Sequence, residues 1–254
     1  MKHLGWIGCL ARSIVYFLLG ILAFLTVVDS PYGATTDESG VFRKILEQRF
    51  GPNIVLAIGL GLICYALWRF VQTTKDIDRY GRTFYGMSVR IGLFGSGLAH
   101  FFFGLYALNL IFAWTQTTRM GERVMAKWML LQPFGRQFLF ALGGAIVLTG
   151  FIQFVRAFNG AFARDLRIKA SKRWVMNMCR FGLVSRGVVF AIIGMFFLQA
   201  AMKERSREAG GLRKAWHTLH DQPYGNYLVA LVAIGFMAFA VFGLIEGFYR
   251  KRPS

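Results

Sequence analysis

The chain contains one unit three times, and this repeat limits the possible folds more than any other feature of the sequence. Each unit has a long apolar run, a charged connection and a second apolar run. Matching glycines of the first runs, 84 and then 90 residues apart, are Gly8, Gly92 and Gly182. Self-similarity at a long period indicates an architecture assembled from equivalent pieces.

Both apolar runs of each unit approach the ~20 residues that span a bilayer core, and 56% of the 254 residues are hydrophobic. We predict transmembrane helices over residues 13–28, 54–68, 91–113, 137–155, 181–202 and 227–245. The predicted fold class is all-α: a polytopic membrane protein with six transmembrane helices as three tandem two-helix repeats, related by pseudo-threefold symmetry. The predicted repeats, which together form one membrane domain, are residues 1–88, 89–178 and 179–254.

The connection inside each unit ends in a short amphipathic segment. In VFRKILEQRFG, the apolar residues Val41, Ile45 and Leu46 share a helical face, with Phe42 beside them. The other two units have RVMAKWMLLQPFG and GLRKAWHTLHDQPYG at this place. We expect three short helices on one side, at the membrane surface, that either cover the ends of the spans or form a lid.

The formal net charge is +18. In a membrane protein such cations flank the spans and meet anionic headgroups, so we expect membrane lipids as partners and no nucleic acid. Six crossings place both termini on one side. Loop cations are nearly equal on the two sides, but arginines near the helix ends favour the side of the termini: Arg12, Arg69, Arg90, Arg156, Arg180 and Arg186, against Arg136. We therefore predict cytoplasmic N- and C-termini.

Ionisable side chains inside the spans are candidates for function, because burial in lipid makes them costly. Arg12, Ser96 and Arg186 hold one repeat position, about a turn and a half inside the first, third and fifth spans. The antiparallel partner helices carry polar residues at similar depth. Either these arginines are structural, bonding headgroups, helix carbonyls or Glu246, or they form a site for an anionic lipid or solute. A role in proton or ion coupling is a third alternative. The candidate binding residues are Arg12, Arg69, Gln72, Gln153, Arg156, Arg186 and Glu246.

His100 is a second intramembrane polar candidate. It lies near the middle of the third span, where the other units have Tyr16 and Phe190. A histidine at this depth can titrate near neutral pH. The alternative is a neutral histidine that replaces the tyrosine and bonds a neighbouring helix.

Catalytic signatures are missing from the sequence. It has no Gly-x-Ser-x-Gly, no HExxH, no phosphate-binding Gly-Lys-Ser/Thr loop and no dinucleotide fingerprint. His217 and His220, one turn apart and near Asp221, are a candidate metal site, but they have no counterparts in the other units. We predict a protein that is not an enzyme and has no metal and no cofactor.

Three sets of residues carry a resemblance to a known family: the opening Gly8, Arg12 and Gly20, the loop helix ending in PFG or PYG, and the run ending in YALWRFVQ. The chain resembles, over nearly its whole length, the bacterial membrane proteins called the domain of unknown function 1206 family. In that family the second helix often ends in a Trp-Arg-x-x-Gln pattern, which the first unit keeps as Trp68, Arg69 and Gln72. The resemblance implies a six-span protein of the bacterial inner membrane and no particular activity.

Three classes of function are compatible with these features. The first is a non-enzymatic protein with a structural, lipid-interacting or accessory role. The second is a small-solute or ion transporter or channel around the pseudo-threefold axis, which requires a water-lined path past His100. The third is a lipid-acting membrane enzyme, which requires a cleft joining His217, His220 or Glu246 to the bilayer.

Overall fold

A computed structural model describes residues 2–28, 33, 37–77, 81–112, 122–160, 162 and 173–249. In chain order its helices are α1 (Lys2–Val27), α2 (Glu38–Leu46), α3 (Gly51–Lys75), α4 (Phe84–Phe112), α5 (Glu122–Leu130), α6 (Gly135–Phe158), α7 (Arg173–Met202), α8 (Leu212–His220) and α9 (Gly225–Tyr249), with a 3-10 turn at Ser206–Glu208. Within this described part, six helices are long and apolar enough to cross a membrane. The prediction of an all-α protein with six spans in three two-helix repeats is confirmed.

The spans extend further at their polar ends than predicted. Helix α1 begins at Lys2 instead of residue 13, and α3 continues to Lys75 instead of residue 68. The predicted bounds stop near the first charged residue, whereas Arg12 and Arg69 are hydrogen-bonded inside the bundle and the helices continue past them. Arg12 therefore lies about three turns from the start of α1, deeper than the predicted turn and a half.

The three short helices lie at one end of the bundle, which we call the loop-helix end. The start of α1 and the end of α9 lie at the other, which we call the terminal end. Helices α2 and α8 turn their apolar faces toward the spans. Phe42 of α2 and Trp216 of α8 are fully buried, and the Trp216 ring lies 5.4 Å from that of Phe236 in α9. These faces meet protein and not lipid, so the two helices cover the span ends.

An aromatic–glycine pair joins each short helix to the next span. The glycines are Gly51, Gly135 and Gly225; a Cβ at any of them would collide with a backbone carbonyl at the end of the short helix. The chain therefore reverses direction more tightly than another residue would allow. The preceding aromatics are exposed: Phe50 62%, Phe134 79% and Tyr224 80%. Exposed aromatics at the ends of spans are typical of a membrane–water interface.

Three equivalent seams join neighbouring repeats: α1 with α9, α3 with α4, and α6 with α7. Each seam closes where small residues meet: Gly20 with Ala233, Gly104 with Gly59, and Gly194 with Gly143. A Cβ at Gly194 would lie 2.8 Å from the Gly143 carbonyl oxygen, and a Cβ at Gly104 would lie 2.9 Å from that of Gly59. Backbones approach this closely only where side chains are absent, which is the usual basis of helix association in lipid.

The second repeat is open where the other two are closed. Helix α1 packs on α3, and α7 packs on α9, but α4 and α6 do not pack on each other. Gly8 fits against the backbone of Tyr65 and Gly182 against that of Phe239, whereas a Cβ at the equivalent Gly92 would have no described atom within 4 Å apart from its own helix backbone. Only 28% and 22% of the most apolar 18-residue stretches of α4 and α6 are buried, against 44% to 56% in the other spans. We call this gap among the described residues the lateral opening.

Adjacent glycines in α6 test the seam. A methyl group at Gly143 would lie 2.8 Å from the backbone nitrogen of Leu198, so we expect Gly143→Ala to lower the free energy of unfolding by about 1–3 kcal/mol. Gly144 has no described neighbour within 4 Å. Gly144→Ala makes the same change in helix propensity and should leave stability equal or higher by up to about 1 kcal/mol. Thermal unfolding in detergent measures both variants. Equal losses of stability would contradict the close contact of α6 with α7 at Gly143.

Candidate functional site

Two buried arginines share one carboxylate near the terminal end of the bundle. Arg12 Nη2 lies 2.9 Å from Glu246 Oε2, and Arg69 Nη2 lies 3.6 Å from Glu246 Oε1. The three residues come from α1, α3 and α9, so this contact joins the first and third repeats. One negative charge faces two positive charges, which leaves the group with a net charge of about +1.

Tyr65 and Gln72 supply further acceptors to the two arginines. The Tyr65 hydroxyl accepts hydrogen bonds from Arg12 Nη1 and Arg69 Nε, each at 2.7 Å. The Gln72 side-chain oxygen accepts one from Arg69 Nη1 at 2.9 Å. Tyr65 is not among the predicted site residues; the signal that points to it is its position four residues before Arg69, on the same helical face. The predicted structural role of these arginines is thus consistent with their bonding.

A glycine of α9 makes room for this network. Gly243 lies about one turn before Glu246, and a Cβ there would come within 3.2 Å of Arg12 Nη2 and would also collide with the Ser13 side chain. The absence of a side chain lets the Arg12 guanidinium reach across the seam to Glu246. The third repeat therefore provides both the carboxylate and the space for its partner.

Arg186 lies beside this network without a carboxylate. Its guanidinium carbon is 4.6 Å from the ring centre of Phe190, 4.7 Å from that of Phe239 and 5.4 Å from that of Tyr16. The Arg12 guanidinium lies over the same Phe239 ring, at 5.2 Å. Among the described residues, Arg186 Nε is buried with no hydrogen-bond partner, and no carboxylate forms an ion pair with this guanidinium. Aromatic faces alone balance its charge, at about 0.5–2 kcal/mol for each contact.

The predicted set of seven polar residues divides into two groups. Arg12, Arg69, Gln72 and Glu246 come together, and Arg186 adjoins them through the shared Phe239 ring. Gln153 and Arg156 lie on α6, which packs mainly on α7 and α5 and not on α1, α3 or α9. Gln153 is buried there. Binding by any of these residues stays a prediction.

Among the described residues, His100 bonds its own helix, whereas one of the two alternatives has it bond a neighbouring helix. Its Nδ1 lies 2.7 Å from the Ser96 carbonyl oxygen, which only accepts, so Nδ1 carries the proton. The ring is buried and lies 4.7 Å from the Tyr65 ring. Because the Tyr65 ring occupies the space toward α3, the polar edge of His100 meets the backbone one turn earlier in α4.

The residues named for a lipid-acting enzyme do not lie together in the described structure. His217 and His220 lie in α8 at the loop-helix end, whereas Glu246 lies about 30 Å away along α9, given 1.5 Å per helical residue from Gly225. Glu246 is also engaged by Arg12. In the described part of the chain, no group of three His, Cys, Asp or Glu side chains could hold a metal ion.

Removing the shared carboxylate should destabilise the bundle strongly. Glu246→Gln leaves Arg12 and Arg69 buried without a counter-charge, and we expect a loss of about 3–5 kcal/mol in the free energy of unfolding. Glu204→Gln is the matched control, because it breaks the pair with Arg136 where the glutamate side chain is 63% exposed, against 15% for Glu246. The control should cost under about 1 kcal/mol. Chemical unfolding in detergent measures both variants. A small and equal loss of unfolding free energy in the two would show that Glu246 does not hold the first and third repeats together.

Comparison with known proteins agrees with the repeat. A family model described as Domain of Unknown Function (DUF1206) matches the chain three times, over residues 7–76, 91–160 and 181–250. The chain is 28% identical to Uncharacterized protein YxxB of Bacillus subtilis (strain 168), over 98% of this chain and 91% of that protein. No solved structure matches it. Because each match takes in most of the two spans and the short helix of one repeat, and the three together cover most of the sequence, the chain belongs to the Domain of Unknown Function (DUF1206) family.

Proposed function

We propose that this chain is a non-enzymatic, lipid-interacting protein of the bacterial inner membrane, and that a phospholipid occupies the lateral opening. The observation that carries the proposal is that α4 and α6, over their described residues, do not pack on each other. In a bilayer, a gap between two spans is filled by lipid, by protein or by water. Nothing in the described residues favours the alternative function, a transporter or channel.

The helices on both sides of the opening are strongly apolar. Gly92 and Gly95 of α4 and Gly144 of α6 have no described neighbours within 4 Å, and large apolar side chains are exposed on both helices: Ile91, Phe94, Leu98, Phe102, Leu148, Phe151 and Val155. Water against such surface costs about 25 cal/mol for each Å². Acyl chains cover it without that cost, so a lipid fits the opening better than water does.

Charge at the same depth favours an anionic headgroup. Gly92 lies about one turn before Ser96, which holds the repeat position of Arg12 and Arg186. Three arginines against the one carboxylate of Glu246 leave an excess of two positive charges (3 − 1 = 2) in this part of the bundle. A phosphate group carries the complementary charge and matches the guanidinium donors.

The orientation is part of the proposal. Arginines inside the spans or near their ends are concentrated at the terminal end, and cationic residues are typical of the cytoplasmic side. We place both termini in the cytoplasm, and the proposed lipid headgroup in the cytoplasmic leaflet. The bacterial relative is consistent with an inner-membrane location. We take residues 1–88, 89–178 and 179–254 as the three structural units.

Filling the opening tests the proposal. The double variant Gly92→Trp/Gly95→Trp places two bulky rings where the described structure leaves space. Leu60→Trp/Leu67→Trp is the control, because both leucines are exposed on α3, away from the opening. After a mild detergent wash, native mass spectrometry should detect bound phospholipid on the parent and the control, and much less on the filled variant.

Two results would contradict the proposal. The first is equal phospholipid on the filled variant and the parent. The second is a parent that carries no phospholipid and is a dimer that the filled variant cannot form, because a second copy of the chain would then cover the opening.

A further inference from the structure

The repeat gives each polar residue of the first, third and fifth spans an opposite residue across a seam. Arg12 in α1 meets Glu246 in α9. Counted from matching glycines, Ser96 and Arg186 hold the position of Arg12, while Gln72 and Arg156 hold the position of Glu246. The three seams therefore pair a cation with an anion, a neutral residue with a neutral residue, and Arg186 with Arg156.

The seam between α6 and α7 is as close as the other two, so this correspondence applies to it. A Cβ at Gly150 would lie 2.7 Å from the Gly187 carbonyl oxygen, next to Arg186 in sequence. Gly187 holds the repeat position of Ser13 and Gly97, and each of these also lies against the helix across its seam: Ser13 against Gly243, and Gly97 against the Arg69 side chain. At the depth where Glu246 neutralises Arg12, α6 thus offers Arg186 no carboxylate, and its own residue there is cationic.

The described contacts of Arg186 leave its hydrogen-bonding edge unused. The rings of Tyr16, Phe190 and Phe239 contact the guanidinium, and ring faces stack on its flat surface. The five N–H donors lie in the plane of the group, at its edge. Nε is buried with no acceptor among the described residues. A guanidinium held in this way is oriented, charged and short of acceptors. Arg156 takes part in an interaction of its own, so the need for an anionic acceptor is argued from Arg186.

From these contacts we infer that Arg186 binds a phosphate-type oxyanion at the position that the Glu246 carboxylate occupies beside Arg12. The inference rests on the proposed function, since it names the residue that holds the headgroup of the lipid in the lateral opening. Two phosphate oxygens match the spacing of the guanidinium donors, so the contact is a pair of parallel charge-assisted hydrogen bonds. A phospholipid phosphodiester and free inorganic phosphate share this chemistry, and the experiment separates them.

Charge reversal on the opposite helix provides the sharpest variant. Arg156→Glu places a carboxylate where the third repeat has Glu246, so it should pair with Arg186 and displace the ligand. Arg156→Gln is the matched control, because it removes the same cation without adding the carboxylate. Arg186→Gln removes the binding group, and Arg186→Lys keeps the charge but loses the paired donors.

The probes are inorganic phosphate, titrated into delipidated protein in detergent with the thermal midpoint as readout, and phosphatidylglycerol, counted by native mass spectrometry. We expect Arg186→Gln and Arg156→Glu to weaken binding about 10- to 100-fold, the effect of losing a hydrogen-bonded charge contact. Arg186→Lys should lie between Arg186→Gln and the parent, and Arg156→Gln should bind more tightly than Arg156→Glu. Circular dichroism and gel filtration confirm that each variant is folded.

The two probes identify the source of the anion. Loss of phosphatidylglycerol from both key variants, with no phosphate-induced shift in any protein, assigns the site to a lipid headgroup. A phosphate-induced shift in the parent that both variants lose assigns it to a free anion. Parent-like binding of both probes by Arg186→Gln and Arg156→Glu would overturn the inference. If the tryptophan-filled variant loses lipid while these two retain it, the lateral opening holds lipid and Arg186 does not bind the headgroup.

Discussion

Backbone contact at three glycine-containing seams is the constraint on which the rest of this structure depends. Lipid provides no hydrophobic force between helices, so association relies on close approach, and Gly104 with Gly59 or Gly194 with Gly143 provides it. The seams join helices of different repeats, and they pack more extensively than the two spans of any one repeat. The seams are the most extensive contacts of the second repeat with its neighbours, and its two spans lie apart while those of the other two repeats pack together.

Charge and packing depart from the threefold pattern in related places. The first repeat places Arg12 against a carboxylate of the third, and the two repeats are tied together there. The third repeat has Arg186 at the same position, but its seam is with the second repeat, whose described residues bring no carboxylate to it. Among the described residues, the repeat whose two spans lie apart is thus also the one that brings no counter-charge to a neighbouring guanidinium. A bound anionic lipid accounts for both departures, since its chains would fill the gap and its phosphate would meet the arginine.

The sequence determines the number and order of the spans because long apolar runs recur with matching glycines, and the repeat register placed Arg12, Arg69 and Glu246 at one depth. Gln153 and Arg156 lie away from these three residues because α6 does not neighbour α1, α3 or α9. The periodicity of the sequence does not predict which helices are neighbours. The lateral opening could not be predicted from the sequence either, since Gly92 repeats the position of Gly8 and only tertiary packing distinguishes the two. His100 bonds Ser96 because Tyr65 occupies the space beside it, a detail of packing that spacing along one helix does not contain.

The most direct test of this account is a spin-label distance across the second repeat in lipid nanodiscs, made in a protein whose native cysteines are replaced. Met87 of α4 and Phe158 of α6 are exposed labelling sites, and Asn177 of α7 with Phe248 of α9 is the equivalent pair in the closed third repeat. Electron–electron double resonance should give a longer distance for the Met87–Phe158 pair, by about the 10 Å diameter of a helix. Equal distances for the two pairs would show that the second repeat is closed, and the proposed lipid site would then have no place in the structure.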